Sequence, residues 1–366
     1  MQCVVLYDYY VPAYKAGGPI RSLKNFVEYL GQDISIRVIC GTRDLDGTEL
    51  NVQKDTWIDS GKAKVYYSSP SCRLLPPISE ESILFINGIY SIKFNLFPAI
   101  KFKGRKIISV RGMLHPEALM QKRLKKLLYL RMLRLLGVTR NCEFHATSEQ
   151  EKNFVLNVFG RRCKVWVASN FPHLMVGKDV PLKKVGSLKI VSIALISKMK
   201  NHLMVMEALM NCKYDIQYEI YGPIKDEEYW SKCQDIIRAL PENIKVCYHG
   251  SISPVEVEDV LAHSHVMIQP SESENFGHSI LEALCSGRPV ITSTTTPWNN
   301  LRTAKAGINI NTAEGNKGLT AAIDFFCVMD DVEIRQWSKS ARAYSHSSVN
   351  VTAIKQQYIN MFNNQQ

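Results

Sequence analysis

The chain has 366 residues, of which 46% are hydrophobic and 22% charged. That length fits two domains or one large α/β unit, and that composition excludes an intrinsically disordered chain. Lys and Arg outnumber Asp and Glu by 45 to 34, a formal charge of +11, and the excess is local. Residues 101–140 hold twelve basic residues and one acid, which leaves 33 of each sign elsewhere. A neutral protein with one basic segment points to a local partner: a membrane surface, a nucleic acid or a phosphate-bearing substrate. The ten cysteines are scattered, with no CxxC pair, so neither a zinc site nor a thioredoxin-like motif is indicated. They read as buried free thiols. The opening residues form a strand-like run rather than a secretory signal, and no apolar stretch is long enough to span a bilayer. A cytoplasmic protein is expected.

In chain order, Cys3 to Tyr7 reads as a short buried strand. A loop to Gly18 follows, and Pro19 opens a helix, where its missing N–H costs nothing. Further strands are predicted over 34–39, 82–86, 106–110 and 143–146. Short apolar strands alternating with helices indicate a parallel sheet covered on both faces. Residues 176–187 (VGKDVPLKKVGS) are polar, contain Gly and Pro, and read as a linker. A second series follows, with strands over 188–194, 217–221, 244–248, 266–269 and 289–292. Helices over 202–211, 227–239, 254–262 and 279–285 separate them. The expected architecture is α/β: two Rossmann-like doubly wound domains facing each other across a cleft. The expected spans are 1–180 for the first domain and 181–345 for the second. Residues 346–366 carry a C-terminal helix, over 351–362, packing back on the first. Open α/β sheets bind ligands outside the carboxyl ends of their strands, but this plan alone does not choose among transferases, epimerases and binding proteins.

The stretch from Pro270 to Glu282 (PSESENFGHSILE) carries the most chemistry. A strand ends at Gln269, a polar loop follows, and a helix begins near His278. The free N–H groups and partial positive charge of a helix N-terminus suit a phosphate. Glu274 precedes the helix and Glu282 follows about two turns later, so two carboxylates can grip separate hydroxyl-bearing parts of one extended ligand. As a bare spacing, E-x7-E equally describes a helix cap and a surface acid.

The spacing does not stand alone. ENFGHSILEALCSGRPVI resembles the hallmark segment of retaining family-4 (group 1) glycosyltransferases of the GT-B architecture. Further resemblances lie in Asp8-Tyr9-Tyr10 with Ala16 to Arg21, in Ser109 to Leu119 (SVRGMLHPEAL), in His145 to Glu149 and in Val167 to Asn170. They continue in Tyr221-Gly222-Pro223, His249-Gly250 and Thr296-Pro297-Trp298, so the likeness extends over most of the chain. It implies that Glu274 holds hydroxyls of the donor sugar and that Glu282 binds the ribose hydroxyls. The backbone around Asn275, Phe276, Gly277 and His278 would face sugar and diphosphate. Gly17 and Gly18 would let the N-terminal backbone approach the diphosphate. Lys200 matches the family's phosphate-binding Lys, but Leu195 stands where the family has Arg; Lys198 is the substitute on offer, a point charge rather than a fork. Arg111-Gly112 stands where many relatives have His-Gly, and Arg111 would meet the acceptor or the transferred sugar.

The resemblance implies a retaining, metal-independent hexosyltransferase using a nucleotide diphosphate sugar of UDP or GDP type, with no other cofactor. Leaving-group stabilisation would come from the helix dipole and lysines. The implied acceptor is a lipid-linked or other glycan in bacterial surface polysaccharide (O-antigen, lipopolysaccharide or capsule), at the cytoplasmic face of the membrane. A helix is predicted over 117–136, with Leu124, Leu128, Met132 and Leu135 as its core-facing stripe. Lys122, Arg123, Lys126 and Arg134, interleaved with Leu130 and Leu133, would face an anionic bilayer. A nucleic-acid partner is not expected, since no aromatic platform accompanies the basic run. The alternatives are a GT-B-type sugar-nucleotide epimerase, and a non-catalytic membrane-surface scaffold with a decayed donor site.

Overall fold

The computed structural model describes residues 1–120, 123–135 and 137–365, the side chain of Glu117 excepted. The chain divides into two compact units, one of residues 1–171 with 351–366 and one of residues 172–350.

The first unit begins with β1 (Gln2–Leu6), α1 (Gly18–Leu30) and β2 (Ser35–Gly41). The hairpin β3 (Trp57–Ser60) and β4 (Ala63–Ser68) leads to β5 (Ile83–Asn87). A five-residue π-helix over Ile92–Leu96 runs into α2 (Phe97–Lys101), then β6 (Lys106–Ser109), α3 (Pro116–Met120) and α4 (Arg123–Leu135). β7 (Cys142–Ala146), α5 (Glu149–Phe159) and β8 (Val165–Val167) complete its first pass. The sheet order is β3-β4-β2-β1-β5-β6-β7-β8, parallel except for β3. β1 lies between β2 and β5, with Val5 in register with Val38 and Phe85. The chain reverses direction across the sheet at β1/β5, so its crevice opens at their carboxyl ends.

The second unit holds β9 (Ser187–Ile193), α6 (His202–Leu209), β10 (Asp215–Tyr221), α7 (Glu227–Ala239), β11 (Ile244–Tyr248) and α8 (Val257–Ala262). It continues with β12 (Val266–Gln269), α9 (His278–Cys285), β13 (Val290–Ser293), β14 (Gly307–Ile310), α10 (Lys317–Cys327) and α11 (Asp331–Ser348). Its sheet, β11-β10-β9-β12-β13-β14, is wholly parallel and switches direction at β9/β12. Ile190, Val191, Met267, Ile268, Val290 and Ile291 are buried, which is why these strands read as continuous apolar runs.

α12 (Val351–Asn363) returns to the first unit. Tyr358 and Phe362 pack their rings against Phe26, and Phe362 also against Phe85. Arg105 closes the helix end: Nη1 donates to the Phe362 carbonyl at 2.5 Å and Nη2 to that of Met361 at 2.7 Å. Its Nε and Nη2 also meet both oxygens of Glu143.

Two expectations need correction. The segment 176–187 is not a free linker but part of the second unit. Arg288, fully buried, donates to the carbonyls of Lys178 and Asp179 and to those of Leu261 and Ser286. Lys183, also buried, donates from its ammonium to the carbonyls of Lys184, Cys327 and Met329. The second correction concerns α4. Leu130 and Leu133, expected among the exposed lysines, are the buried pair. Leu124, Leu128 and Leu135, expected in the core, are 84%, 71% and 77% exposed, and Met132 is exposed too. The inward face is set by neighbours distant in sequence: the Tyr129 hydroxyl donates to the Ile89 carbonyl, beside a small cavity lined by Leu96, Ala99 and Leu133.

Candidate functional site

In the second unit, chemistry collects at the carboxyl ends of β9, β12 and β13. After β9 the chain makes a 3-10 turn over Lys198–Lys200 and enters α6 through Asn201, which has a left-handed φ of 60°. The neighbouring Tyr221-Gly222-Pro223 loop lies hard against the chain just past β9. A Cβ on Gly222 would come within 1.9 Å of the Ala194 carbonyl oxygen, so only glycine fits there. Past β12, the 270–277 loop is tied to the same turn. The Glu272 N–H donates to the Met199 carbonyl at 2.9 Å, and Asn201 donates to the Glu272 carboxylate at 2.9 Å.

These ties bring Lys200 to Glu274, which form a direct ion pair with both side chains largely shielded from solvent. The same oxygen, Glu274 Oε1, accepts from Gln269 Nε2 at 2.6 Å and from Ser271 Oγ at 2.9 Å. Gln269 is itself oriented by the Ser279 hydroxyl at 2.9 Å. Three donors on one oxygen fix the orientation of the carboxylate. Sequence reading found Glu274 and Lys200 but not Gln269 or Ser271. The signal was a polar residue ending an otherwise apolar buried strand.

α9 starts at His278, with Gly277 as its N-cap at φ 74°. A Cβ on Gly277 would sit 3.1 Å from Trp298 Nε1, and that indole donates to the Phe276 carbonyl at 2.6 Å. Phe276 lies against His278 and Trp298, while Asn275 is exposed. Trp298 thus shapes the turn that aims the first N–H groups of α9, which have no intrahelical acceptor. Glu282 follows on the buried face of α9, 2% exposed, with His173 Nδ1 at 3.7 Å. His173 was not foreseen. Lys198 is exposed, on the turn that carries Lys200, and Leu195 is half-buried. Among the described residues, no three of His, Cys, Asp and Glu gather as metal ligands would.

The first unit places Arg111 just past β6, at φ 49°. Its guanidinium is not a free surface charge. Nε donates to Asn87 Oδ1 at 2.8 Å and Nη1 to Asn170 Oδ1 at 2.5 Å. Glu151, buried at the start of α5, accepts from the Gly112 N–H, the Thr147 N–H and the Thr147 hydroxyl, and so holds the loop in this bend. Asp8, at the end of β1, accepts from the Ser91 hydroxyl at 2.7 Å. Burial raises its carboxyl above the usual range, with the Ser91 bond opposing. Gly17 has φ 70° and caps α1, and Gly18 is the first residue of that helix. No atom lies within 4 Å of a Cβ built on Gly17, so backbone conformation is the reason for glycine there. Asp44 holds the preceding loop, accepting from the N–H groups of Tyr14 and Lys15. His145 is not at a reactive position: it lies between the Ser109 hydroxyl and the Ala168 carbonyl, each at 2.8 Å. Burial pushes its pKa down to about 3, so it is neutral.

Of the four basic residues expected at a surface, Arg123 and Arg134 are exposed and Lys122 lies outside the described residues. Lys126 turns inward, its ammonium on the Ala118 carbonyl at 2.5 Å and over the Tyr90 ring. Among the described residues, no helix is long and apolar enough to cross a membrane.

Residues 178–311 match the family described as glycosyl transferases group 1. No curated protein sequence matches the chain. Among solved structures, sucrose-phosphate synthase from Thermosynechococcus elongatus superposes with a TM-score of 0.75 at 15% identity, covering 100% of this chain and 99% of that one. HepE of Anabaena, in complex with UDP and glucose, gives 0.66 at 15% identity, covering 100% of both chains. WaaG, a glycosyltransferase involved in lipopolysaccharide biosynthesis, gives 0.65 at 12% identity, covering 99% of both.

Proposed function

Since this is a chain of GT-B fold whose second unit carries the group 1 glycosyltransferase match, we propose that it transfers a sugar, with retention, from a nucleotide diphosphate sugar to a glycan acceptor. The observation that carries the reading is the fixed carboxylate of Glu274. It is paired with Lys200, held by Gln269 and Ser271, and placed beside the N-terminus of α9 at the switch point of a parallel sheet. In this reading Glu274 accepts hydroxyls of the donor sugar. Lys200 and the first N–H groups of α9 stabilise the charge that builds on the leaving diphosphate, with Lys198 adding a second cation. Glu282 accepts the ribose hydroxyls. No metal is needed for that stabilisation, and the leaving phosphate takes the acceptor proton as the acceptor attacks from the same face. UDP is the favoured nucleotide, because HepE was crystallised with UDP and with UDP-glucose.

On the acceptor side, Arg111, with Asp8 at the switch point of the first sheet, would meet a hydroxyl-rich acceptor. The acceptor we propose is a lipid-linked glycan of surface polysaccharide synthesis. The basic segment, Arg123 and Arg134 included, would hold the protein at the cytoplasmic face of the membrane. The similarity to WaaG and the concentration of charge in residues 101–140 support this.

The test is a thermal-shift screen of UDP, GDP and their sugars, followed by release of nucleoside diphosphate from whichever sugar binds. Binding raises the melting temperature by mass action. A rise with one nucleotide class and turnover of its sugar are expected. No shift with any nucleotide, and no release, would overturn the reading.

A further inference from the structure

We propose that Gln269 is a positioning residue that decides which oxygen of Glu274 meets the donor sugar: Oε1 is taken up by the protein and Oε2 is kept for the substrate. This rests on the donor-site reading above and gives Gln269, Ser271 and Ser279 a part in the reaction. Oε1 accepts from the Lys200 ammonium, from the Gln269 amide at 2.6 Å and from the Ser271 hydroxyl at 2.9 Å. A carboxylate oxygen offers about two lone-pair sites, so three donors exhaust it. Oε2 accepts from none of the described residues, and a tenth of the side chain stays exposed. A sugar hydroxyl that donates to Glu274 therefore finds its acceptor in Oε2, and a pair of hydroxyls clasped across both oxygens is excluded.

The surroundings of Gln269 fit that role. It ends β12 after Val266, Met267 and Ile268, and it is 2% exposed. An amide so buried is unfavourable unless both of its ends are bonded, and both are. Ser279, the second residue of α9, donates its hydroxyl to Gln269 Oε1 at 2.9 Å, which turns Nε2 toward Glu274. The opposite orientation would set the amide oxygen against a carboxylate. The main chain on either side is pinned from β13 and the loop after it. The Thr292 hydroxyl donates to the Gln269 carbonyl at 2.8 Å, and the Thr295 hydroxyl to the Ser271 carbonyl at 3.0 Å. Glu274 sits on a loop, but the amide that orients it is anchored in β12, β13 and α9. Lys200 alone cannot set that orientation, because an ammonium is a point charge with rotatable donors. An apolar residue at position 269 would leave the carboxylate free to turn Oε2 away from the sugar.

The probes are UDP and UDP-glucose, or the GDP pair if the screen above selects it, with release of nucleoside diphosphate as the readout. Gln269→Leu keeps the volume and removes the amide. It should bind nucleoside diphosphate within about twofold of wild type, while kcat falls about tenfold. In a Glu274→Gln background the same change should add no further loss, because residues that act through one group are not additive. Ser279→Ala should repeat the fall in kcat more weakly, and Ser279→Thr, which keeps the hydroxyl, should restore it. If Gln269→Leu loses its wild-type circular dichroism, the Ser279 pair decides alone. Wild-type kcat in Gln269→Leu or Ser279→Ala would overturn the proposal, as would a loss that adds to that of Glu274→Gln. So would a fall in nucleoside diphosphate affinity as large as the fall in kcat, which would mean general damage to the site. Full turnover by Glu274→Gln would instead overturn the donor-site reading, and this proposal with it.

Discussion

Lys200 and Glu274 lie 74 positions apart and form one ion pair at the carboxyl end of the central strands of the second sheet. Neither side chain is more than a fifth exposed, so the pair is shielded from the solvent that weakens surface bridges. Lys198, two residues away, is exposed to that solvent. Lys200→Ala should therefore lower kcat/KM by about ten- to a hundredfold, and Lys198→Ala by less than about threefold. Steady-state kinetics with the donor identified by thermal shift provide the check. Equal losses would place the working cation elsewhere on the turn.

Glu274→Gln should separate binding from turnover. Its partner in the proposed reaction is the transferred sugar, so affinity for the free nucleoside diphosphate should hold while kcat falls. Calorimetry with the nucleoside diphosphate and turnover of its sugar form the deciding pair. Wild-type values for both would remove Glu274 from the site.

Glu282→Ala should weaken nucleoside diphosphate binding by about ten- to a hundredfold, as two ribose hydroxyls lose a charged acceptor. Its carboxylate is nearly covered, with His173 at its edge, so in the proposed reading the ribose would displace His173. His173→Ala should leave nucleotide affinity equal to or tighter than wild type. Weakening as severe as that of Glu282→Ala would make His173 a direct contact instead.

Acid should destabilise both units. Burial pushes His145 and His202 down to about 3 and His265 to about 4. An unfolded histidine titrates near 6.5, so below that pH the unfolded chain binds protons that the native one refuses. Stability is full above about pH 6.5 and falls as pH drops toward the folded values, by up to about 1.4 kcal/mol per pH unit per histidine. Melting temperatures measured between about pH 7.5 and 5 should fall accordingly, and His265→Gln should flatten the slope. A flat wild-type profile would contradict the burial.

Arg288→Lys should cost about 2 kcal/mol or more, although charge is conserved. A planar guanidinium serves four carbonyls here, and an ammonium has three donors in another geometry. Chemical denaturation gives the number, and a loss below about 0.5 kcal/mol would mean that water replaces the fork.

The donor-side residues were legible because their chemistry is packed into one short segment. Glu274, Gly277, His278 and Glu282 all lie within nine residues at a strand–loop–helix junction. Gln269 and Ser271 escaped because their purpose depends on where Glu274 turns, which the chain order does not state. The 176–187 segment looked like a linker for the same reason: the buried guanidinium that pins it lies more than a hundred residues downstream. α4 shows the limit of periodicity. Leucines occupy both of its faces, and spacing alone cannot tell which faces inward when Ile89 and Tyr90 make the choice. The β3–β4 hairpin, β8 and β14 were missed because they are short strands at or next to a sheet edge: β3, β4 and β14 mix polar with apolar residues, and β8, though Val-Trp-Val, is only three residues long.

The placement of α12 bears on how the protein is made. Residues 172–350 form a contiguous unit that a ribosome completes in one stretch, whereas the unit begun by residues 1–171 stays unfinished until the last helix emerges. Through that interval Phe26 and Phe85 lack the rings of Tyr358 and Phe362 that cover them, and Arg105 has no helix end to close. The unit synthesised first is thus the one finished last, with an open aromatic layer in the nascent chain, the kind of surface that recruits chaperones. A premature stop near residue 350 would leave the unit of residues 172–350 whole and do its damage in the one that residues 1–171 began.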